Sequence, residues 1–306
     1  MDYVFIVMGL IGLFLGGEAL VRGSVNVARR LSISPLIIGL TVVGFGTSTP
    51  ELLVSVQAAL QGAPDIAVGN VIGSCVANLL LILGVTSLVT PIRIVGATLR
   101  RDTAVMVAAG LVLVPLFAIG EIGRWAGGVL VAGLAFYLIW AVLTPGDHRP
   151  EEDGQSDPQM PVLTALLWIG FGFAALLFGA QFLVEGSVAI ARDFGVSEAF
   201  IGLTIVAVGT SLPELATSLV AAFRRQTAIA IGNVVGSNIF NILGILGVTA
   251  IVRPIPVAPR FLTFDLPVLI VASLVVTGLI LRQPQIGRVT GGLLLIGYVV
   301  YVIAAR

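Results

Sequence analysis

A chain of 306 residues with 58% hydrophobic and only 10% charged side chains lies far from the roughly 25% charged composition of a water-soluble domain. Its mean hydropathy is +1.10, and 16 basic residues, all arginine, are balanced by 16 acidic ones. That balance leaves no basic excess for a nucleic acid and points to an integral membrane protein.

Apolar runs of about 20 residues, the length that spans a bilayer, recur from end to end. They are expected near 3–21, 35–61, 66–90, 103–120 and 125–143, and again near 161–182, 198–222, 228–252, 264–281 and 288–305. The first opens on an acidic residue, with no basic stretch and no small-residue cleavage site, and reads as a retained helix rather than a signal peptide. The single Cys75 gives no intrachain disulfide, and the single His148, in a polar loop, reads as solvated. Trp125, Trp140 and Trp168 stand at span ends as interfacial anchors. Glu18 and Glu185 read as snorkelling to an interface, with a place along the ion pathway as the alternative. With ten spans, eleven arginines fall on one side and five on the other. The positive-inside rule then places both termini outside.

One offset organises the chain. "GTSTPE" at 46–51 returns as "GTSLPE" at 209–214, and "GNVIGSCVAN" at 69–78 returns as "GNVVGSNIFN" at 232–241, each 163 residues later. Two halves, 1–143 and 161–306, flank a polar acidic linker at 144–160, read as solvated in preference to a cation site at Glu151, Glu152, Asp153 and Asp157. Five spans per half is an odd number, so two like halves are expected to lie inverted in the membrane.

The repeated blocks carry the chemistry. A carboxylate at mid-bilayer costs about 3 kcal/mol on insertion scales, so Glu51 and Glu214, at the centres of the second and seventh spans, call for a partner or a task. Thr47, Glu51 and Ser55 share one helix face, as do Thr210, Glu214 and Ser218. Pro50 and Pro213 supply no N–H and disfavour helical angles at the residue before them, Thr49 in the first half. Helices two and seven are therefore expected to be broken beside their glutamates, a backbone tolerated at that depth only around a cavity or an ion. Ser74 with Asn78, and Ser237 with Asn241, form facing polar pairs, with Asn70 and Asn233 one turn earlier. Carboxylates, hydroxyls, amides and freed carbonyls make an all-oxygen set that suits hard cations, either one divalent ion, several sodium ions, or protons. A serine and glycine stripe alone would read as helix packing. A proline-flanked glutamate duplicated at one spacing does not.

These blocks resemble the paired repeats of the cation/calcium antiporter superfamily, of the prokaryotic sodium/calcium exchanger type. The resemblance implies an all-α membrane protein of ten transmembrane helices in two inverted five-helix repeats, with helices 2 and 7 broken. Helices two, three, seven and eight would form the core, and the long first and sixth helices a sliding bundle. It makes Glu51 and Glu214 shared calcium and sodium ligands, completed by the carbonyls of Thr47 and Thr210. Ser48, Ser74, Ser211, Ser237 and the carbonyl of Ala207 would form flanking sodium sites, with Asn78 and Asn241 facing the middle. Cys75 departs from the motif's usual Asn and reads as a packing change, pointing away from Ser74 and Asn78. Asn241 stands where some members carry Asp, which removes a possible negative charge and speaks against a potassium-dependent subtype.

The implied activity is antiport of calcium against sodium by alternating access, in a prokaryotic inner membrane, with no cofactor and no enzymatic reaction. A calcium/proton antiporter on the same scaffold is the alternative. A channel would conduct without countertransport. An intramembrane hydrolase lacks support, since no His or Cys accompanies the glutamates and every Asp is expected at a span end or in a loop.

Overall fold

The computed structural model describes residues 2–31, 33–94, 97–144, 160–195 and 207–305. Residues 145–159 of the expected linker at 144–160, with His148 and its four acidic residues, lie outside the described residues, as does the start of the seventh expected span, 198–206.

The described chain is almost wholly helical: α1 (Asp2–Arg30), α2 (Pro35–Thr47), α3 (Thr49–Leu60), α4 (Pro64–Val89), α5 (Ala97–Ile119), α6 (Arg124–Leu143), α7 (Val162–Asp193), α8 (Ala207–Gly209), α9 (Leu212–Phe223), α10 (Thr227–Val252), α11 (Phe261–Arg282) and α12 (Arg288–Ala304). Seven of these are long and apolar enough to cross a bilayer, and the bent pair α2–α3 makes an eighth. The shorter apolar helices α9 and α12 overlap two further expected spans. Large apolar side chains on the outer faces, among them Phe14, Phe136, Leu163 and Leu293, are exposed, as lipid-facing helices require.

α1 and α7 run antiparallel along most of their length, with backbones in direct contact. A Cβ built on Gly16 would stand 2.7 Å from the Leu176 nitrogen, and one on Gly179 would stand 2.7 Å from the Leu13 nitrogen. Only glycine permits that approach. The remaining helices pack around α4 and α10, whose side chains are the most completely buried. Two short antiparallel ladders tie the halves together: β1 (Ile92–Arg93) pairs with β4 (Gln285–Ile286), and β2 (Glu121–Ile122) with β3 (Ile255–Pro256).

Two sequence expectations need correction. The break between α2 and α3 is a 43° bend at Ser48, and Thr49 is the first helical residue of α3. Pro50 sits in the opening turn of α3, where its missing N–H leaves no ladder bond unmade, so the non-helical residue is the one that caps that turn. Asp102 and Asp265 stand in the first two turns of α5 and α11 and are buried there. Arg101 and Tyr301 respectively make their burial tolerable, through contacts of 2.9 and 3.0 Å. Glu18 does not snorkel, because its carboxylate is held by Arg224 of α9.

Candidate cation site

The site is assembled at the two helix breaks. Ser48 (φ −85°, ψ 9°) and its repeat mate Ser211 (φ −91°, ψ 5°) take nearly the same non-helical conformation, each capping the helix that carries a glutamate. The first ladder bonds of α3 and α9 run from the Leu52 and Leu215 N–H groups to the Ser48 and Ser211 carbonyls, so Thr47 and Thr210 lie ahead of those ladders. Acidic residues belong in such a first turn, where the unpaired N–H groups favour negative charge. Glu51 and Glu214 stand there, each 1% exposed.

The two breaks are knitted to each other. The Ser48 hydroxyl donates to Glu214 Oε1 at 2.8 Å, and the Ser211 hydroxyl lies 3.5 Å from Glu51 Oε1. Each glutamate is thus reached by the serine of the other half. Oε2 of both carboxylates is buried without a hydrogen-bond partner.

Asparagines fix the backbone around them. Asn70 donates its amide to the Glu51 carbonyl (3.1 Å) and the Ser55 hydroxyl (3.0 Å). Asn233 repeats both bonds, to the Glu214 carbonyl (3.2 Å) and Ser218 (3.0 Å). Its Oδ1 also accepts from the Thr47 hydroxyl at 3.2 Å. The role of Asn70 and Asn233 is therefore to hold the glutamate-bearing helices, and the side chain of Thr47 is committed to protein partners. Its carbonyl lies ahead of the α3 ladder.

Asn78 and Asn241 are fully buried, and both the oxygen and the nitrogen of each amide lack a partner. They lie in two matching segments of widened π-helix, Ala77–Ile82 and Phe240–Ile245. Such segments recur at functional sites because they free backbone groups and turn side chains off the regular face. No pattern in those apolar runs announces them.

Ser237 donates to the Gly44 carbonyl at 3.2 Å, bringing α10 against α2. Gly44 is the repeat mate of Ala207, so this carbonyl is one that reading the motifs missed; the repeat offset alone could have found it. Ser74 is buried on α4, and Ala207 opens α8. Cys75 is buried where the halves meet, its thiol 3.9 Å from the carbonyl of Asn238, its own repeat mate.

Buried polar atoms are almost always hydrogen-bonded. Two carboxylate oxygens and two whole amides left unpaired in one region would be costly as they stand. A desolvated hard cation would take the two carboxylate oxygens and the two amide oxygens as ligands, and these four oxygens fit such a cargo; the amide N–H groups would need acceptors of their own.

A family profile described as "Sodium/calcium exchanger protein" matches residues 1–143 and 164–305. Among curated relatives, the chain is 39% identical to the "Putative antiporter CaxA" of Alkalimonas amylolytica, over 97% of this chain and 96% of that one. It is 32% identical to the "Sodium/calcium exchanger MaX1" of Methanosarcina acetivorans, over 99% and 97%. Its fold matches a solved structure of the sodium-calcium exchanger NCX_Mj with a TM-score of 0.86 at 34% identity, covering 100% of this chain and 99% of the other.

Proposed function

The chain belongs to the sodium/calcium exchanger family, and on that premise we propose that it exchanges calcium for sodium by alternating access. The observation that carries this reading is the reciprocal reach of Ser48 to Glu214 and Ser211 to Glu51, with an unpartnered Oε2 on each carboxylate. Glu51 and Glu214 are the shared ligands of either ion. The carbonyls of Thr47 and Thr210 complete the calcium position. Ser48, Ser74, Ser211, Ser237 and the Ala207 carbonyl line sodium positions, and Asn78 and Asn241 contribute between them.

The membrane arrangement in this reading is ten spans in two inverted halves, 1–143 and 161–306, with both termini outside. α1 and α7, locked by their glycine contacts, move as one body across the remaining helices. An unloaded site crosses poorly, because two uncompensated carboxylates would be enclosed in low dielectric. Loaded with one calcium the pair is neutral. Loaded with three sodium ions it is left with one positive charge, so exchange is electrogenic.

Reconstituted liposomes with an outward sodium gradient test this. Uptake of labelled calcium is expected, to collapse when the gradient is removed and to respond to membrane potential. Uptake driven by a pH jump in the absence of sodium would replace the sodium reading with a proton-coupled one. Single-channel currents without countertransport would overturn antiport altogether.

A further inference from the structure

α1 meets α9 on one side of the site, and that contact has an ion pair that its repeat mates do not reproduce. The Arg224 Nε, at the end of α9, donates to Glu18 Oε2 of α1 at 2.6 Å, and its Nη2 contacts Oε1. Arg22, one turn along α1, also pairs with Glu18 at 2.8 Å and lies over the Trp168 ring of α7, 5.9 Å from its centroid. Arg224 is only 11% exposed and Glu18 21%. Closer to the site, Gly17 brings α1 against the same helix, where an added Cβ would stand 3.1 Å from Val220 and 3.3 Å from the Ala216 carbonyl.

The offset of 163 turns this contact into a test of symmetry. Ala216, Val220 and Arg224 of α9 correspond to Leu53, Gln57 and Gln61 of α3. The α9 face is covered by α1, whereas Leu53 is 57% exposed and Gln57 and Gln61 are exposed. One helix face is covered and its mate is not. In a two-state exchanger built from like halves, the opposite state is reached when the mates swap roles. α7 then covers α3, and α1 leaves α9.

The swapped contact would join the mates of Glu18, Arg22 and Arg224, which are Gln181, Glu185 and Gln61. No cation is among them. In this structure Gln181 donates to Glu185 Oε1 at 2.8 Å along α7 itself. We infer that Glu18 and Arg224 form a one-sided lock, which holds the Arg224 end closed and has no ionic counterpart among its repeat mates, the guanidinium nearest Gln61 being Arg253, which donates to the Leu60 carbonyl at 2.8 Å. The lock makes the two facing states unequal in free energy, so it sets the resting distribution of the carrier and with it the apparent ion affinity on each side. Arg22 and Trp168 orient Glu18 from within the moving pair of helices. This inference rests on the sliding motion proposed above.

The test is a crosslink that reports the swapped state. Gln61→Cys and Gln181→Cys are combined in a Cys75→Ala background, reconstituted in liposomes, and treated with a short bifunctional maleimide while calcium flux is followed. Arg224→Gln is expected to raise the crosslinking rate by about three- to tenfold, the effect of an ion pair partly shielded from water. Adding Glu18→Gln to it should bring little further rise, because the two side chains act as one unit. An unchanged rate in both Arg224→Gln and Glu18→Gln, with flux maintained, overturns the lock. A crosslink that never forms in any variant while flux continues overturns the sliding reading instead, so the two failures are distinguishable.

Discussion

The hydroxyl of Ser48 lies 2.8 Å from Oε1 of Glu214, across 166 residues of sequence, and joins the helix break of one half to the carboxylate of the other. The mate contact, Ser211 to Glu51, is longer at 3.5 Å. A hydrogen bond to a charged group contributes about 1.5–3 kcal/mol, and the contribution falls steeply with length. Ser48→Ala is therefore expected to weaken calcium binding about tenfold, and Ser211→Ala by a factor of about three at most. Calcium-dependent flux measured over a range of concentrations reads both, and equal losses would show that the inequality disappears once the ion is bound.

Glu51→Gln and Glu214→Gln separate transport from stability. Each removes one of two carboxylates that are enclosed in the same region, and each leaves the amide able to occupy the same space. Exchange should fall by a factor of about 100 or more, since one remaining charge cannot compensate a divalent ion in low dielectric. In ion-free buffer the same variants should unfold at a higher temperature than the parent, because an uncompensated buried charge has been removed. A variant that lost transport and also unfolded earlier would argue that the glutamate is structural.

The complementary measurement uses the parent protein and its cargo. A ligand that binds only the folded state stabilises it by RT ln(1 + [L]/Kd), about 2.7 kcal/mol at a hundred times Kd. Calcium, and separately sodium, should each raise the midpoint of thermal unfolding in detergent. Adding sodium to the calcium-loaded protein should yield less than the sum of the two shifts, because the ions share Glu51 and Glu214. The double variant Glu51→Gln/Glu214→Gln should show neither shift. Removing calcium with a chelator should reverse its effect in the parent.

Much of this site is written in residue identity. Proline beside a buried glutamate, repeated 163 residues on, requires a helix break and a polar centre whatever surrounds it, and both are present at Ser48 and Ser211. Placing that break required knowing that Pro50 fits the first turn of α3, so the kink falls at the residue that caps it. The π-helical segments around Asn78 and Asn241 were not legible, because "ANLLLI" and "FNILGI" carry no period that separates a widened turn from an ordinary one. Nor was the Glu18–Arg224 pair. Those two are not repeat mates, and their meeting depends on which of two helix arrangements the protein adopts, a property of the fold rather than of either segment.

The seam between α1 and α7 gives the last prediction. At Gly179 an added Cβ would meet the Leu13 nitrogen at 2.7 Å and the Gly12 carbonyl carbon at 2.9 Å, both backbone atoms that cannot move without separating the helices. At Gly170, nine residues earlier on the same helix, it would meet nothing within 4 Å. Gly179→Leu should therefore cost about 1–3 kcal/mol of stability through overpacking. It should also slow exchange in whatever fraction remains folded, since the two helices would no longer move as one body. Gly170→Leu changes the same residue type on the same helix and should alter neither. Thermal unfolding and flux measured side by side on the two variants check this. Loss of stability in Gly179→Leu with an unaltered turnover of the folded protein would mean that the seam holds the molecule together without coupling the motion of its two longest helices.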